Sequence, residues 1–293
     1  MFRMAKVEIK RYFLDHVFGE NKVLFNVNNL YDERPEDYSE VVNSGNTRFW
    51  IDQFHKGNYQ TLKLDGFDVN WMAKAAKIGV FKRKFSHLYD DELEYTLNKY
   101  HDAFEKIKEN DPEGAERGWF IRVESVSLKY GMHGAGPYKN LKEIIESLVT
   151  SSSGHECVKP DSTEITLYFM KWLDMHPNKE FRIFVKDNKI TAISDQHLYT
   201  INDWLNTKTD EEIEKMVHKI LEYFEENIKS KMEFMGSYVM DLALIGEEET
   251  PYFIEPNSFG KNYASGSALF HWVYDHDALH DNDVIQFRYC NEY

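Results

Sequence analysis

Cysteine, proline and glycine are all scarce in this chain of 293 residues. Two cysteines, Cys157 and Cys290, are too few for a disulfide framework or a four-thiolate zinc site, although a single bridge between them stays open. Seven prolines and 15 glycines leave no long low-complexity linker and mark no obvious cut between domains. We therefore expect one large domain or two interlocked ones.

Long apolar runs are also missing. No stretch approaches the ~18 consecutive apolar residues of a membrane helix. The first residues break their apolar positions with charges every few residues, which is unlike a signal peptide. We expect a soluble, cytoplasmic protein in a reducing compartment, with no membrane partner.

Basic residues are fewer than acidic ones: the chain has 35 Lys and Arg and 50 Asp and Glu, which gives a net charge of −15. Such a surface repels phosphate backbones, so nucleic acid is not an expected partner. The exception is residues 75–85, which concentrate Lys77, Lys82, Arg83 and Lys84. This run is either a solvated face or a patch for an anionic partner or substrate.

Aromatic residues make up 15% of the chain, and hydrophobic residues 42%, which is enough for a packed core. Periodicity predicts helices over residues 89–109, 139–150 and 209–231. Strands are predicted over 118–123, 163–173, 237–245 and 252–255, with a hairpin of 180–185 and 190–194 turning on Asp187-Asn188. The C-terminal half is strand-rich and antiparallel in character, so we predict an α+β fold rather than a parallel doubly wound sheet.

Two acidic residues and an amide lie in or just after the last two predicted strands: Asp241 is within the first, Glu255 ends the second, and Asn257 follows two residues later. If these strands pair as a hairpin, the carboxylates of Asp241 and Glu255 lie side by side, and Asn257 points to the same face as Glu255. Oxygen ligands of this kind suit Mg²⁺ shared with phosphate oxygens. The alternative is a strand-end cap with incidental acids.

A glycine-bearing loop lies between a strand that carries Arg122 and a helix that begins near residue 139. Gly131, Gly134 and Gly136 would let backbone amides approach phosphate, and Lys129 could add a point charge. The spacing matches neither a Walker A motif nor a dinucleotide fingerprint. A mobile surface loop would look the same.

Arg182 is the remaining candidate for a phosphate contact. It lies in a predicted strand and either pairs with Glu180 or makes a charge-assisted contact to triphosphate. The histidines near the C-terminus, His271, His276 and His280, lack the glutamate of a zinc-protease motif, so no catalytic metal is expected there.

Taken together, these motifs resemble the cell division cycle protein 123 family, a branch of the ATP-grasp fold. The resemblance runs from about residue 90 to about residue 275 and is carried by residues 170–172, 180–189, 192–194, 237–242, 254–260 and 267–272. Two departures stand out. Residues 125–130 lack the Trp, Pro and Asp of the family's run, and the glutamine expected after Ile-Ser is displaced to Gln196.

The resemblance implies that ATP lies between two interlocked α+β subdomains, in a cleft between antiparallel sheets. Asp241, Glu255 and Asn257 would hold Mg²⁺. Arg182 and Lys129 would act on the transferring phosphoryl group. The remaining ATP contacts would be Arg122, the loop glycines Gly131, Gly134 and Gly136, the adenine hinge Met170, Lys171 and Trp172, and Asp174 at the ribose. The core would span residues 89–275, preceded by a partner- or substrate-recognition region (1–88) and followed by a tail (276–293).

Two functions are compatible with this set of residues. An ATP-dependent, ADP-forming ligase would activate a carboxylate as an acyl phosphate for attack by an amine or similar nucleophile, and this is the function we favour from the sequence. The alternative, implied by the named family, is an ATP-dependent assembly chaperone acting on a translation initiation factor subunit. The acceptor, a small molecule or a protein, is not identified by the sequence.

Overall fold

The computed structural model describes residues 5–26, 34–263, 265–280 and 284–292. Over these residues there are nine strands. In chain order they are β1 (Lys6–Phe13), β2 (Tyr59–Leu64), β3 (Trp119–Arg122), β4 (Ile165–Lys171), β5 (Glu180–Lys186), β6 (Lys189–Asp195), β7 (Tyr238–Ile245), β8 (Thr250–Ser258) and β9 (Val284–Asn291).

The α-helices begin where local capping signals occur. Asp65 accepts hydrogen bonds from the Phe67 and Asp68 amides before one helix, and Thr209 forms a reciprocal capping box with Glu212 before another. The helices are α1 (Leu14–Phe18), α2 (Tyr38–Ser44), α3 (Thr47–Phe54), α4 (Gly66–Lys82), α5 (Asp90–Asn110), α6 (Pro112–Arg117), α7 (Leu141–Thr150), α8 (Asp203–Asn206), α9 (Asp210–Tyr223) and α10 (His276–His280). None of the helices over the described residues is both long and apolar enough to cross a membrane.

The chain divides into two compact units, and the second of them is residues 46–174. Its sheet has three antiparallel strands in the order β2-β4-β3. Helices α4, α5 and α7 contribute to its core, in which Phe104, Trp119 and Phe169 contact one another edge-on or tilted. Burial of such large aromatic side chains supplies most of the apolar area of a core.

The first unit combines residues 1–45 with residues 175–293. Its sheet has six strands in the order β1-β9-β6-β5-β7-β8. The hairpin of β5 and β6 turns on Asp187 and Asn188, whose φ angles of 49° and 58° are those of a two-residue turn that matches the strand twist. Strand β9 runs parallel to both β1 and β6, whereas β5, β7 and β8 pair antiparallel with their neighbours.

The α+β architecture predicted from the sequence is confirmed, with two corrections of detail. The six-stranded sheet is mixed rather than purely antiparallel, because β9 pairs in parallel on both sides. The helix predicted over 209–231 ends as an α-helix at Tyr223 and continues as a π-turn (Phe224–Ile228) and a 3-10 turn (Lys229–Lys231).

The compact units divide the chain at other positions than the predicted boundaries at 88 and 275. Residues 276–293, predicted to be a tail, contain β9, which lies inside the sheet between β1 and β6. Residues 1–88 are shared between the two units. The recognition role predicted for residues 1–88 stays a prediction.

Candidate functional site: a charged row across three strands

Three charged residues occupy directly paired positions on neighbouring strands of the first unit. Arg182 on β5 pairs with Asp241 on β7, and Asp241 pairs with Glu255 on β8. Directly paired residues of an antiparallel sheet point to the same face. The sheet register therefore lines up one cation and two carboxylates side by side, and we call Arg182, Asp241 and Glu255 the charged row.

Arg182 and Asp241 form a two-pronged ion pair. Nε of Arg182 donates to Oδ1 of Asp241 at 2.9 Å, and Nη2 donates to Oδ2 at 2.8 Å. Nη1 donates to the carbonyl oxygen of Gly266 at 2.9 Å. The pair is largely removed from water, because only 11% of the Arg182 side chain and 2% of the Asp241 side chain are exposed. The partner of Arg182 is thus Asp241, and not the Glu180 that the sequence offered as the structural alternative.

The charges of Arg182, Asp241 and Glu255 shift the pKa values of Arg182 and Asp241. Burial lowers the pKa of Arg182, but the Asp241 carboxylate outweighs it, so that the pKa is raised and the guanidinium stays charged. Burial raises the pKa of Asp241 against the lowering effect of Arg182, and the Glu255 charge adds to the rise. One guanidinium thus faces two carboxylates, and a further cation at this position would relieve their repulsion.

Asn257 lies two residues beyond Glu255 on β8, opposite Val239. Because strand residues two apart share a face, its amide lies on the face of the charged row, as the spacing predicts. Its Nδ2 is buried and has no hydrogen-bond partner among the described residues. A buried amide without a partner is uncommon in folded proteins and needs a reason, such as a ligand.

These residues fit a magnesium ion that is shared with a phosphate. Over the described residues, no group of three or more His, Cys, Asp or Glu side chains is placed to hold a metal ion. Mg²⁺, however, is commonly bound by one or two carboxylates together with substrate phosphates and water. The carboxylates of Asp241 and Glu255 and the Oδ1 of Asn257 provide oxygen ligands of that kind. The Nδ2 of Asn257, which has no partner among the described residues, is a donor and is suited to a phosphate oxygen.

Gln196 is a site residue that the sequence did not assign. Its Nε2 lies 3.5 Å from Oδ2 of Asp241, at the end of β6. The family resemblance expects a glutamine after Ile-Ser, and here it is displaced by one position. The structure brings the displaced side chain to the charged row, so the shift in sequence does not remove the glutamine from the site.

Arg122, in the second unit, is buried at the end of β3. Its Nε donates to the Thr47 hydroxyl at 2.9 Å, and its guanidinium lies 4.8 Å from the ring centre of Trp50. Only 2% of the residue is exposed. Its predicted contact with phosphate stays a prediction, since the contacts described here hold the side chain within its own unit.

The glycine-bearing loop packs on α7 through its own amides. The amides of residues 131–134 donate to Leu128, Thr150, Ser147 and Gly131 in turn. At Gly131 a Cβ atom would lie 2.5 Å from the Cβ of Ser147, so close packing explains this glycine. Lys129 lies 5.5 Å from the Tyr130 ring. Gly134 and Gly136 have φ angles of 73° and 114°, which favour glycine. A phosphate role for the loop stays a prediction.

The predicted adenine hinge lies at the end of β4. Met170 is buried between β2 and β3, where it pairs with Tyr59 and Phe120. Lys171 donates to Glu113 at 3.2 Å. Trp172, beyond the strand, donates to Asp174 at 3.0 Å, and Asp174 also accepts from Arg117 at 3.0 Å. A ribose hydroxyl at Asp174 would therefore compete with Arg117.

A comparison with family models matches residues 139–293, more than half of the chain, to the family described as D123. The chain belongs to the D123 family. The match includes β4 to β9 and therefore all three residues of the charged row. The resemblance inferred from the sequence motifs is confirmed.

Curated relatives of this D123 chain carry the name translation initiation factor eIF2 assembly protein. The chain is 31% identical over 130 residues to the one from Candida albicans, covering 42% of this chain and 34% of that protein. It is 28% identical over 161 residues to the one from Lodderomyces elongisporus, covering 54% and 39%. The matched part thus spans between a third and two-fifths of the length of these relatives.

Solved structures of Cdc123 from Schizosaccharomyces pombe share the fold of the D123 chain. The C-terminally truncated form superposes with a TM-score of 0.56 at 15% identity and covers 85% of this chain and 96% of that one. A second Cdc123 structure gives a TM-score of 0.53 at 12% identity, with the same coverage. The α+β ATP-grasp fold expected from the resemblance is thereby confirmed.

Proposed function

We propose that this D123 chain is an ATP-binding assembly factor that acts on a protein partner, a subunit of translation initiation factor 2. The observation that carries the proposal is the charged row with Asn257 beside it, whose amide nitrogen has no partner among the described residues. The ATP-grasp fold supports nucleotide binding, and the name of the curated relatives supports assembly of that factor. Since the match spans less than half of those relatives, the partner is part of the proposal.

Asp241, Glu255 and Asn257 would hold Mg²⁺, which when bound would neutralise charge on the phosphates. Arg182 is suited to contact the same phosphates. Among the described residues, its contacts with Asp241 and Gly266 use three of its five N–H groups, and the other two are suited to a ligand. The ion pair with Asp241 also fixes the side chain before ATP arrives, so little rotamer entropy is lost on binding.

The predicted contacts of the second unit complete the proposal. Arg122 and Lys129 would add positive charge, and the backbone of residues 170–172 would contact adenine. The glycine-bearing loop would shield the phosphates from water rather than bind them, because the amides of residues 131–134 already donate within the loop and to α7. Asp174 would reach the ribose. Each of these roles can be tested separately from the charged row, because substitution of Lys129 or Asp174 leaves the first unit unchanged.

The ligase interpretation favoured from the sequence has less support than assembly. The same ATP site would serve both functions, but the curated relatives are named for assembly and none of the comparisons supports an acyl phosphate. The two functions differ in their acceptor. A ligase releases ADP and phosphate in proportion to a small carboxylate substrate, whereas an assembly factor binds a protein subunit.

Calorimetric titration with ATP, with and without Mg²⁺, tests nucleotide binding. We expect Mg-dependent binding by the wild type and its loss in Glu255→Gln, which keeps the size of the side chain and removes its charge. Asp187→Asn is the matched control, because Asp187 is an exposed acid at the hairpin turn of the same sheet. The ATP proposal fails if the wild type does not bind, or if Glu255→Gln and Asp187→Asn bind equally well.

A pull-down tests the assembly function. We expect the tagged wild type to retain a subunit of initiation factor 2, and Glu255→Gln to retain less of it in the presence of Mg·ATP. Release of ADP dependent on a small carboxylate acceptor, with no subunit retained, would instead establish the ligase. Equal recovery of the subunit by both variants would separate partner binding from ATP and refute ATP-dependent assembly.

A further inference from the structure

Exposed apolar and basic side chains follow one another along the chain at the end of α4. Phe81 is 89% exposed and Leu88 is 80% exposed, the highest values among the large hydrophobic residues that the structure describes. Four exposed basic residues lie before, between or next to them in the sequence. We define the basic-apolar patch as Lys77, Phe81, Lys82, Arg83, Lys84 and Leu88.

The geometry of α4 explains why this patch faces solvent. The helix buries Met72, Ala76 and Gly79 along one stripe, and Phe81, two residues after Gly79, lies on the opposite side. At Gly79 the helix approaches α7 so closely that a Cβ atom would meet the carbonyl of Val149. The helix then ends at Lys82, and the next residue, Arg83, caps it with a left-handed φ of 50°. Tight packing behind the helix therefore holds the exposed side in place.

The cations of the patch are not neutralised by the carboxylates that the structure describes. None of Lys77, Lys82, Arg83 and Lys84 has an ion pair over the part of the chain that the structure describes. Such a run of cations is unusual in a chain with a net charge of −15. Phe81 follows Lys77 by one helical turn and directly precedes Lys82, so an exposed apolar side chain lies next to cations here. An apolar surface with polar groups around it favours a binding site over a solvated face.

We infer that the basic-apolar patch binds an acidic segment of a partner protein, one that carries apolar side chains between its carboxylates. Charge complementarity selects the acidic segment, and Phe81 and Leu88 provide the apolar contact. An extended anionic membrane is less well matched, because it would also face the rest of a chain whose net charge is −15, whereas a short segment contacts only the patch. The inference does not depend on the ATP proposal, since no predicted ATP contact lies in the patch.

Fluorescence anisotropy tests the inference with a labelled peptide of aspartate and glutamate interrupted by leucines. We expect the wild type to bind it, with affinity falling as salt is raised. Lys82→Gln/Lys84→Gln should weaken binding about two- to thirtyfold, since each exposed ion pair contributes about 0.2–1 kcal/mol. Phe81→Ser should weaken it about tenfold. The matched control is Lys139→Gln/Lys159→Gln, which removes the same charge from exposed lysines of the same unit.

Each outcome decides the inference. It stands if the patch variants lose affinity, the control pair does not, and thermal melts show that all variants are folded. It falls if the peptide does not bind, or if polyglutamate without leucine binds equally well and Phe81→Ser has no effect. It also falls if the protein ignores the peptide but binds phosphatidylserine vesicles, because the patch is then a membrane surface.

Discussion

The ion pair of Arg182 and Asp241 predicts a large cost for removing either partner. At 11% and 2% side-chain exposure, the pair belongs to the buried class rather than the surface class. Loss of one partner from a buried pair leaves an uncompensated charge and costs about 3–5 kcal/mol, whereas replacing both partners with apolar side chains of similar volume is often neutral. We therefore expect Arg182→Met and Asp241→Leu each to cost about 3–5 kcal/mol, and the double variant to cost far less than their sum.

Urea denaturation followed by tryptophan fluorescence measures these costs. A surface pair of the same unit provides the control, because Lys229 and Glu225 also lie 2.8 Å apart but are 34% and 39% exposed. Glu225→Ala should cost less than about 1 kcal/mol. The reasoning is refuted if the two buried substitutions are additive, or if each costs no more than the surface control. Such a result would mean that water reaches the charged row.

Three further predictions concern local features of the fold. Burial raises the pKa of Asp195 to about 6, so the free energy of unfolding of the wild type should fall as pH rises from about 4 to 6. Asp195→Asn does not titrate, and its free energy of unfolding relative to the wild type should therefore rise by up to about 3 kcal/mol over this range, as measured by denaturation at each pH. Gly131→Ala should lower the melting temperature at a cost of about 1–3 kcal/mol, because the new methyl group would meet Ser147. Asn188→Gly should raise the melting temperature slightly, since glycine suits the positive φ and the change removes a buried oxygen that has no partner among the described residues.

Local sequence signals predicted the features that depend on neighbouring residues. The Asp187-Asn188 turn was predictable because these residues tolerate a positive φ, and the helix after residue 89 because its apolar residues recur at helical spacing. The pairing of Asp241 with Glu255 was predictable because a short acidic turn joins their strands. In each case the decisive interaction lies within one hairpin or one helix.

Features that depend on distant residues were not predictable. Strand β1 pairs with β9, at the other end of the chain, and no local pattern encodes that register. For the same reason the sequence offered Glu180 as the partner of Arg182, whereas the sheet register supplies Asp241. The buried state of Arg122 also depends on α3, which brings Thr47 and Trp50 to it from a different part of the sequence.

The charged row and the basic-apolar patch lie in different compact units, and this separates the two proposed activities experimentally. The row would bind Mg·ATP whether the protein is a ligase or an assembly factor, so ATP binding alone cannot distinguish these functions. The patch distinguishes them, since a surface for an acidic protein segment has no use in a ligase of small molecules. We expect Lys82→Gln/Lys84→Gln to bind Mg·ATP like the wild type in calorimetry, and Glu255→Gln to bind the acidic peptide like the wild type. If either variant loses both activities while remaining folded, the two surfaces act as one site and the separation is wrong.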